Sequence, residues 1–184
     1  VGITDGTTHW NITPAGGLGV MVAGDITGGV LNSVPFINNG IDIPVYWDGV
    51  VTNPMISLPD WPVAQRCKAM RPFKYHLIAI NISDGTGDYP ALLVWSSAAD
   101  PGLIPQEWTP LPENEAGSFT LSATTGGIVD GAALRDQFMV YKQHSTAIMQ
   151  YIAGQFVFSN RKAFVTSGIL ARNCVQEMYG AHYV

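Results

Sequence analysis

Apolar and polar residues alternate along much of the chain, in short runs rich in Val, Ile, Phe, Tyr and Thr that turn-forming residues separate. The longest example, Asp136–Cys174, reads DQFMVYKQHSTAIMQYIAGQFVFSNRKAFVTSGILARNC. A period of two residues indicates strands, and frequent Gly and Pro favour turns over long helices. The pattern predicts an all-β chain. The predicted strands are Gly19–Gly24, Ile43–Gly49, His76–Ser83, Ala91–Ser97, Gly117–Ala123, Gln137–Gln143, Thr146–Gly154, Gln155–Asn160 and a strand beginning in Met178–Val184.

Two pairs of these segments are predicted to form hairpins. His76–Ser83 and Ala91–Ser97 flank the sequence DGTGDYP, whose glycines tolerate the positive φ of tight turns. Gln137–Gln143 is joined to the following strand by a short His-Ser loop. The segment Ser167–Met178 fits either a helix or a strand that follows a loop, and we favour the strand.

A loose repeat connects three of the predicted strands. Trp47 and Trp95 each close a strand and lie 48 residues apart, and Met149 and Tyr151 occupy a similar place further along. Propeller blades repeat every ~40–50 residues with four strands each. The repeat predicts β-propeller-like blades of antiparallel strands, with a β-sandwich as the alternative.

The predicted organisation is one continuous domain. Residues 1–38 form a glycine-rich first blade or lead-in segment, and residues 39–184 form propeller-like blades. We expect the chain to be part of a longer polypeptide, truncated at both ends.

Composition narrows the function classes. Hydrophobic residues make up 47% of the 184 residues, whereas charged residues make up 12%, well below the ~25% of an average soluble domain. A surface poor in charge hints at an assembly. The net charge of −5 argues against gripping nucleic acid by its phosphates. The basic residues are scattered and predict no patch; their near neighbours are Arg71 and Lys74, Arg135 and Lys142, and Arg161 and Lys162.

The cysteine count and the hydropathy pattern favour a protein without disulfide bonds or membrane-spanning helices. Cys67 and Cys174 are interpreted as buried free thiols in a protein assembled in a reducing cytoplasm, with a disulfide as the alternative. No apolar stretch reaches the ~18 residues of a membrane helix, so no membrane insertion is expected.

Metal, phosphate and calcium motifs each have a simpler structural interpretation. His9, His76, His144 and His182 show no metal-ligand spacing. Ala15–Gly19 (AGGLG) lacks the Gly-Lys-Ser/Thr ending of a phosphate loop and is interpreted as a turn. Asp84–Asp88 (DGTGD) lacks the Glu that completes an EF-hand and is interpreted as a hairpin tip. We therefore predict no metal and no cofactor.

Hydrolase signatures are equally weak. Ser96–Trp108 is similar to the Asp box of sialidase-type propellers through Ser97, Asp100, Gly102 and Trp108, but such boxes are structural turns. The Gly-x-Ser-x-Gly elbow of serine hydrolases is missing. Paired carboxylates would have to come from Glu107, Glu113 and Glu115, in a segment interpreted as a solvated loop. The sequence nominates no catalytic residue, and no enzymatic activity is predicted.

Four stretches carry a family resemblance, and they cover the chain from about Asn39 onwards. They resemble the tail nozzle or tail hub β-propeller proteins of short-tailed bacteriophages, which are related to phage stabilisation proteins. The stretches are Leu58–Ile82, Tyr89–Trp108, Ile128–Phe164 and Gly168–Val184.

The resemblance implies a structural virion protein. Copies would form a ring, expected to be a homo-hexamer, below the portal and adaptor of the tail. The ring would retain and then conduct the genome, and DNA would pass through without specific binding. Assembly would take place in the cytoplasm of the bacterial host.

Three loops are expected to contact neighbouring virion proteins: Asp84–Tyr89, Asp100–Glu115 and Ser159–Ser167. One alternative is a carbohydrate-binding or glycan-hydrolysing propeller, which exposed tryptophans around a concave mouth, beside two carboxylates, would favour. Buried tryptophans would count against it. A second alternative is a trimeric receptor-binding tail fibre domain.

Overall fold

A computed structural model of the chain describes residues 1–20, 22, 24–152 and 157–184. Within these ranges the protein consists of strands, turns and loops, and no helix there is long and apolar enough to cross a membrane. The first eight strands are β1 (Gly2–Thr4), β2 (His9–Asn11), β3 (Thr27–Leu31), β4 (Val34–Asn38), β5 (Val45–Tyr46), β6 (Ile56–Ser57), β7 (Arg66–Phe73) and β8 (His76–Asp84). The others are β9 (Gly87–Trp95), β10 (Gly117–Thr120), β11 (Ile128–Leu134), β12 (Gln137–Lys142), β13 (Thr146–Tyr151), β14 (Phe158–Phe164), β15 (Gln176–Met178) and β16 (Ala181–Tyr183).

The strands form three four-stranded antiparallel sheets and two hairpins. The first sheet contains β3 to β6, the second β7 to β10 and the third β11 to β14, and consecutive strands are neighbours in each. The hairpins are β1–β2 and β15–β16. The first strands of the sheets lie side by side, with β7 between β3 and β11. Four-stranded meanders that meet along their first strands are blade-like. The predicted all-β fold is confirmed.

The second sheet is the middle layer and is buried on both faces. One face packs on the third sheet through a cluster that includes Ile80 and Phe138, and the other packs on the first sheet through a cluster that includes Phe36 and Leu77. Strand β8 therefore begins with five buried residues, HLIAI. A strand covered on both faces reads as a continuous apolar run. Burying one large aliphatic side chain stabilises the fold by about 1.5–3 kcal/mol.

The outer faces of the first and third sheets are covered by shorter segments. Ile12 and Met55 pack on Val45 at the first sheet. Ile169 packs on the third sheet beside Tyr141. The terminal hairpins thus occupy the two ends of the stack of sheets.

The loose repeat marks equivalent places in the three sheets. Trp47 directly follows β5, Trp95 ends β9 and Tyr151 ends β13. Each of these strands is the third of its sheet. The spacing that predicted blades therefore reflects the order of strands within them.

The strand predicted at Gly19–Gly24 is wrong for its described residues, which form no strand. Val20 and Val22 are 81% and 54% exposed. The backbone N–H of Gly19 donates to the Asp42 carboxylate at 2.6 Å, not to a neighbouring strand. Two residues of the segment lie outside the described ranges, namely Met21 and Ala23.

Other strands also differ in length from their predictions. β9 runs from Gly87 to Trp95 and not over Ala91–Ser97, and β10 ends at Thr120 and not at Ala123. β13 ends at Tyr151, and residues 153 and 154 of the predicted strand Thr146–Gly154 lie outside the described ranges.

Ile43–Gly49 is reduced to β5, because the chain turns at Asp48, whose carboxylate accepts the N–H of Val50 at 2.9 Å. Of the predicted strand Gln155–Asn160, residues 155 and 156 lie outside the described ranges. From Phe158 the strand continues to Phe164, past its predicted end.

The hairpin of β8 and β9 is tighter than the sequence indicated. The strands pair as far as Asp84 and Gly87, so the turn consists of Gly85 and Thr86. The Asp84 carboxylate accepts the backbone N–H of Thr86 at 2.7 Å. This bond closes the turn from within.

The C-terminal part forms a hairpin where one strand was predicted. Met178–Val184 reverses at Tyr179 and Gly180, whose φ values of 52° and 73° suit a two-residue hairpin turn. In Ser167–Met178 only β15 is regular, so the helical alternative is wrong. Ile169 is buried there, whereas Leu170 is 98% exposed.

The first strand of each sheet escaped the strand prediction. Glycine and proline interrupt the apolar pattern in TGGVL of β3, RCKAMRPF of β7 and IVDGAAL of β11. These strands meet at the centre, where small residues are needed for close approach. The first sheet runs from Thr27 to Ser57 and spans both predicted segments, 1–38 and 39–184.

Candidate functional site

A group of charged and polar side chains makes mutual contacts where the first strands of the three sheets converge. A cavity of about 430 Å³ opens there, lined by β3, β7, β11 and residues 173–176. We call this region the axial site. It is the place in a propeller-like arrangement where ligands and channels are found.

Small residues allow the strands to approach at the axial site. Gly28, Gly131, Ala132 and Ala133 line the cavity. A Cβ atom on Gly131 would lie 2.5 Å from the Phe138 ring, so a larger residue would push the ring out of the core. The close approach brings two charged side chains from neighbouring strands together.

Arg71 of β7 and Asp130 of β11 form a bidentate ion pair. Arg71 donates from Nε to Oδ1 at 2.9 Å and from Nη2 to Oδ2 at 2.6 Å. The Asp130 side chain is 2% exposed and that of Arg71 is 20% exposed. Water screens such a pair little, and two parallel N–H···O bonds fix the geometry.

Asn173 extends the pair to the first sheet. Its backbone N–H donates to Asp130 Oδ2 at 2.9 Å, and its side-chain oxygen accepts from Arg71 Nη2 at 2.6 Å. Its side-chain amide donates to the carbonyls of Gly24 and Ile26 at 3.1 and 3.0 Å. A φ of 60° at Asn173, which asparagine tolerates, accompanies these contacts.

Arg172 makes a second link between the same segments. Its guanidinium forms an ion pair with Asp25, just before β3, and donates to the Lys68 carbonyl of β7 at 2.6 Å. Residues 172 and 173 therefore join the segment after the third sheet to the first and second sheets. We call Asp25, Arg71, Asp130, Arg172 and Asn173 the axial network.

The polar groups of the axial network bond largely to one another. The Asp130 carboxylate already accepts from Arg71, from Asn173 and from the N–H of Gly131. The Arg71 guanidinium is neutralised by Asp130, so it is not available to bind a substrate carboxylate as a sialidase arginine does. What the arrangement does chemically is to satisfy buried polar groups.

His76 is a second buried ionisable group, away from the axis. Nδ1 lies 2.8 Å from the Ser96 carbonyl oxygen, while Nε2 has no hydrogen-bond partner among the described residues. The Glu115 carboxylate is 3.6 Å from Nε2. Burial lowers the pKa of His76 from its ordinary value of 6.5, and the Ser96 bond and the Glu115 charge oppose this shift.

The tryptophans do not form a sugar-stacking surface. Trp61, Trp95 and Trp108 are buried, and Trp61 packs edge-on against Trp108 with ring centroids 4.6 Å apart. Trp10 and Trp47 are half-buried. The possible carboxylates are all exposed, namely Glu107, Glu113 and Glu115.

The histidines and cysteines are dispersed. No group of three metal-ligating side chains occurs in the ranges that the structure describes. His182 bonds Tyr141 through Nδ1 at 2.7 Å, which anchors β16 to the third sheet. Both cysteines are free; Cys67 is buried as expected, but Cys174 is exposed, contrary to the prediction.

The three expected contact loops have different outcomes. Asp84–Tyr89 is mostly paired strand around a two-residue turn. Asp100–Glu115 is an irregular segment between β9 and β10, and two of its side chains, Ile104 and Trp108, are buried in the core. The loop predicted at Ser159–Ser167 is wrong as far as Phe164, because residues 159–164 belong to β14, which pairs with β13.

The sequence did not nominate the residues of the axial network. Arg71 was noted only as one scattered cation, and Asp130 only as part of a family-like stretch. One pattern was available: an acid flanked by small residues, in IVDGAAL, inside an apolar strand. A charge at such a position needs a partner across the strands.

No protein-family model matches the chain, and no curated protein matches it either. The likeness to tail nozzle and tail hub proteins therefore rests on the four sequence stretches alone.

We predict strong coupling between Arg71 and Asp130. Arg71→Met leaves the buried Asp130 carboxylate without its cation and should lower the free energy of unfolding by about 3–5 kcal/mol. Combining it with Asp130→Leu should cost less than the sum of the two single substitutions. Denaturant unfolding of the four proteins measures the coupling.

The control is the exposed pair of Lys74 and Asp136, whose side chains are 32% and 92% exposed. The same cycle there should give a coupling of only about 0–1 kcal/mol. Equal coupling in the two pairs would contradict the structural importance of the axial network.

We also predict that His76 makes stability depend on pH. Its pKa is lower in the folded chain, so below pH 6.5 the unfolded chain binds a proton that the folded chain does not. The stabilisation from neutral His76 is complete above this pH and is lost as the pH falls.

The thermal midpoint measured between about pH 7.5 and pH 5 tests this expectation. On acidification, the thermal midpoint of His76→Phe should fall by less than that of the natural chain, although the variant is less stable at the upper pH. His144→Gln, at an exposed histidine, should behave like the natural chain. If the midpoint of His76→Phe falls as much as that of the natural chain, the pH dependence does not come from His76.

Proposed function

We propose that the chain is a structural component of a bacteriophage tail, in a nozzle or hub ring below the portal and adaptor, and that it has no enzymatic activity. The observation that carries the proposal is the arrangement of strands. Three complete blade-like sheets are flanked by two hairpins of two strands each. Such a chain is suited to bearing load and to joining further sheets at both ends.

The two hairpins hold complementary places in the order of strands. In chain order β1–β2 comes before β3, the first strand of a sheet. This is the position that the outer two strands of a preceding blade would occupy. β15–β16 follows the last strand of a sheet, the place of the inner two strands of a following blade. Neither hairpin pairs with another strand in the described ranges. Unpaired edges of this kind favour association with other chains.

Exposed apolar side chains also support association. At the outer side of the third sheet, Phe164 and Tyr183 are 58% and 56% exposed, and near the first sheet Val50 and Ile56 are both 47% exposed. Large exposed apolar residues that cluster mark interaction surfaces. Head-to-tail contacts between different faces generate a ring when the rotation closes.

The channel for the genome would lie between copies and not within one. The axial cavity of one chain, about 430 Å³, has the size of a small-molecule pocket. The net charge of −5 would limit adhesion of passing DNA to the ring. The genome would thus be conducted without specific binding.

The burial of Trp61, Trp95 and Trp108 weighs against the carbohydrate-active alternative, which requires exposed aromatic rings. The occupied hydrogen bonds of Arg71 and Asp130 weigh against a sialidase-like site. The trimeric fibre domain differs in symmetry, so counting copies separates it from the proposal.

Cryo-electron microscopy of particles that contain the protein is the test. We expect six copies around an axial channel of the tail. Three copies at a peripheral tip, or absence of the protein from particles, would contradict the proposal.

A matched pair of substitutions tests the surfaces. Phe164→Asp, at the outer side of the third sheet, should reduce incorporation of the protein into particles. Val63→Asp, at a residue that is 78% exposed between β6 and β7, should leave it unchanged.

A further inference from the structure

Lys142 is a buried cation that forms no ion pair with the described residues. The residue is 1% exposed. Its Nζ donates to the carbonyls of Leu121, at 2.7 Å, and Thr124. An ammonium has three N–H donors, so these two acceptors do not satisfy it.

No carboxylate of the chain neutralises Lys142. The ion pairs among the described residues involve other cations. The residues outside the described ranges include no Asp or Glu. Burial lowers the pKa of Lys142, because the ammonium loses hydration there. Buried charges in proteins are normally paired, so this site lacks one component.

A second lysine faces the same pocket. The pocket has a volume of about 100 Å³, and its lining includes Lys142 and Lys162. Arg161 also borders it, but Arg161 lies opposite Ile148, which packs on the outer face of the third sheet. Lys162 lies opposite Ala147, and Lys142 lies opposite Ile128. Ala147 and Ile128 belong to one core cluster, so both lysines are on the face of the third sheet that packs on the second sheet.

The rest of the lining suits an oxyanion. Ser122, Thr124 and Asn160 are polar residues that also line the pocket, and no acidic residue lines it. Two of the nine Lys and Arg residues of an acidic chain thus face one small cavity. The sequence showed Arg161 and Lys162 only as neighbours; pairing of β12, β13 and β14 brings Lys142 near Lys162.

We propose that this pocket, between the outer edges of the second and third sheets, binds one small tetrahedral oxyanion of the phosphate class. Lys142 provides the buried charge, Lys162 provides an exposed charge at the entrance, and the 121–124 segment forms the opposite wall. The anion ties β14 to that segment and thereby joins two sheets at their rims. The site does not depend on the proposed role in a phage tail.

The test is a titration of the whole chain with inorganic phosphate, with sodium chloride adjusted to hold the ionic strength constant. The amide resonances of residues 122–124 and the thermal midpoint report binding. We expect saturable shifts of these resonances and a rise in the midpoint. Phosphate should also raise the pKa of the Lys142 ammonium, since a nearby anion favours the charged form.

Substitutions at the exposed cations keep the test independent of folding. Lys162→Gln should weaken phosphate binding about tenfold or more, because it removes a charge-assisted contact. Lys68→Gln removes an exposed charge outside the pocket and should leave the affinity unchanged. Equal loss in Lys68→Gln and Lys162→Gln, or no saturable binding by the natural chain, would overturn the proposal.

Two phosphate compounds identify the source of the anion. Dimethyl phosphate stands for the phosphodiester of a polymer, and methyl phosphate stands for a phosphomonoester. Binding of dimethyl phosphate as tightly as inorganic phosphate supports the site and assigns it to a phosphodiester. Binding of inorganic phosphate alone supports the site and assigns it to the free ion.

Discussion

The contact on which the arrangement of the sheets depends is the bidentate pair of Arg71 and Asp130, extended by Asn173. The apolar clusters between the sheets supply most of the stabilisation, but apolar packing is not directional and would tolerate sliding of one sheet on another. The pair has a single geometry, 2.6–2.9 Å at both bonds. It fixes the register of β7 against β11 at the point where the first strands converge. Asn173 then carries the same constraint to the segment before β3.

This constraint explains which parts of the fold the sequence revealed. β8 and β12 pair with strands on either side of them and carry strong apolar patterns, so they were predicted to within about one residue. The first strands were missed because the axial site selects for small and polar residues, which interrupt a strand pattern. Glycine and aspartate are typical of turns in a sequence, but Gly28 and Asp130 lie in strands and line the axial cavity. The 48-residue spacing of Trp47 and Trp95 marked equivalent strands in two sheets, because the spacing depends on the order of strands and not on their composition.

The sites were harder to predict than the strands, since each is assembled from distant segments. Arg71 and Asn173 are 102 residues apart in sequence, and no local motif announces their contact. The pocket beside Lys142 likewise brings Lys142 and Lys162 together across strand β13. Local reasoning correctly identified turns such as Gly85–Thr86, where the backbone geometry depends on adjacent residues alone. The proposed function rests on the architecture, namely blade-like sheets beside two hairpins that pair with no other strand in the described ranges.

The central claim is that the axial network makes the three sheets one cooperative unit. Native-state hydrogen exchange measures this directly, because it gives an opening free energy for each strand. In the natural chain, the account predicts one opening free energy, equal to that of global unfolding, for the central amides of β4, β8 and β12. In Arg71→Met it predicts a separate, lower opening free energy for the first sheet. If the three sheets of the natural chain already exchange with distinct free energies, the claim is contradicted.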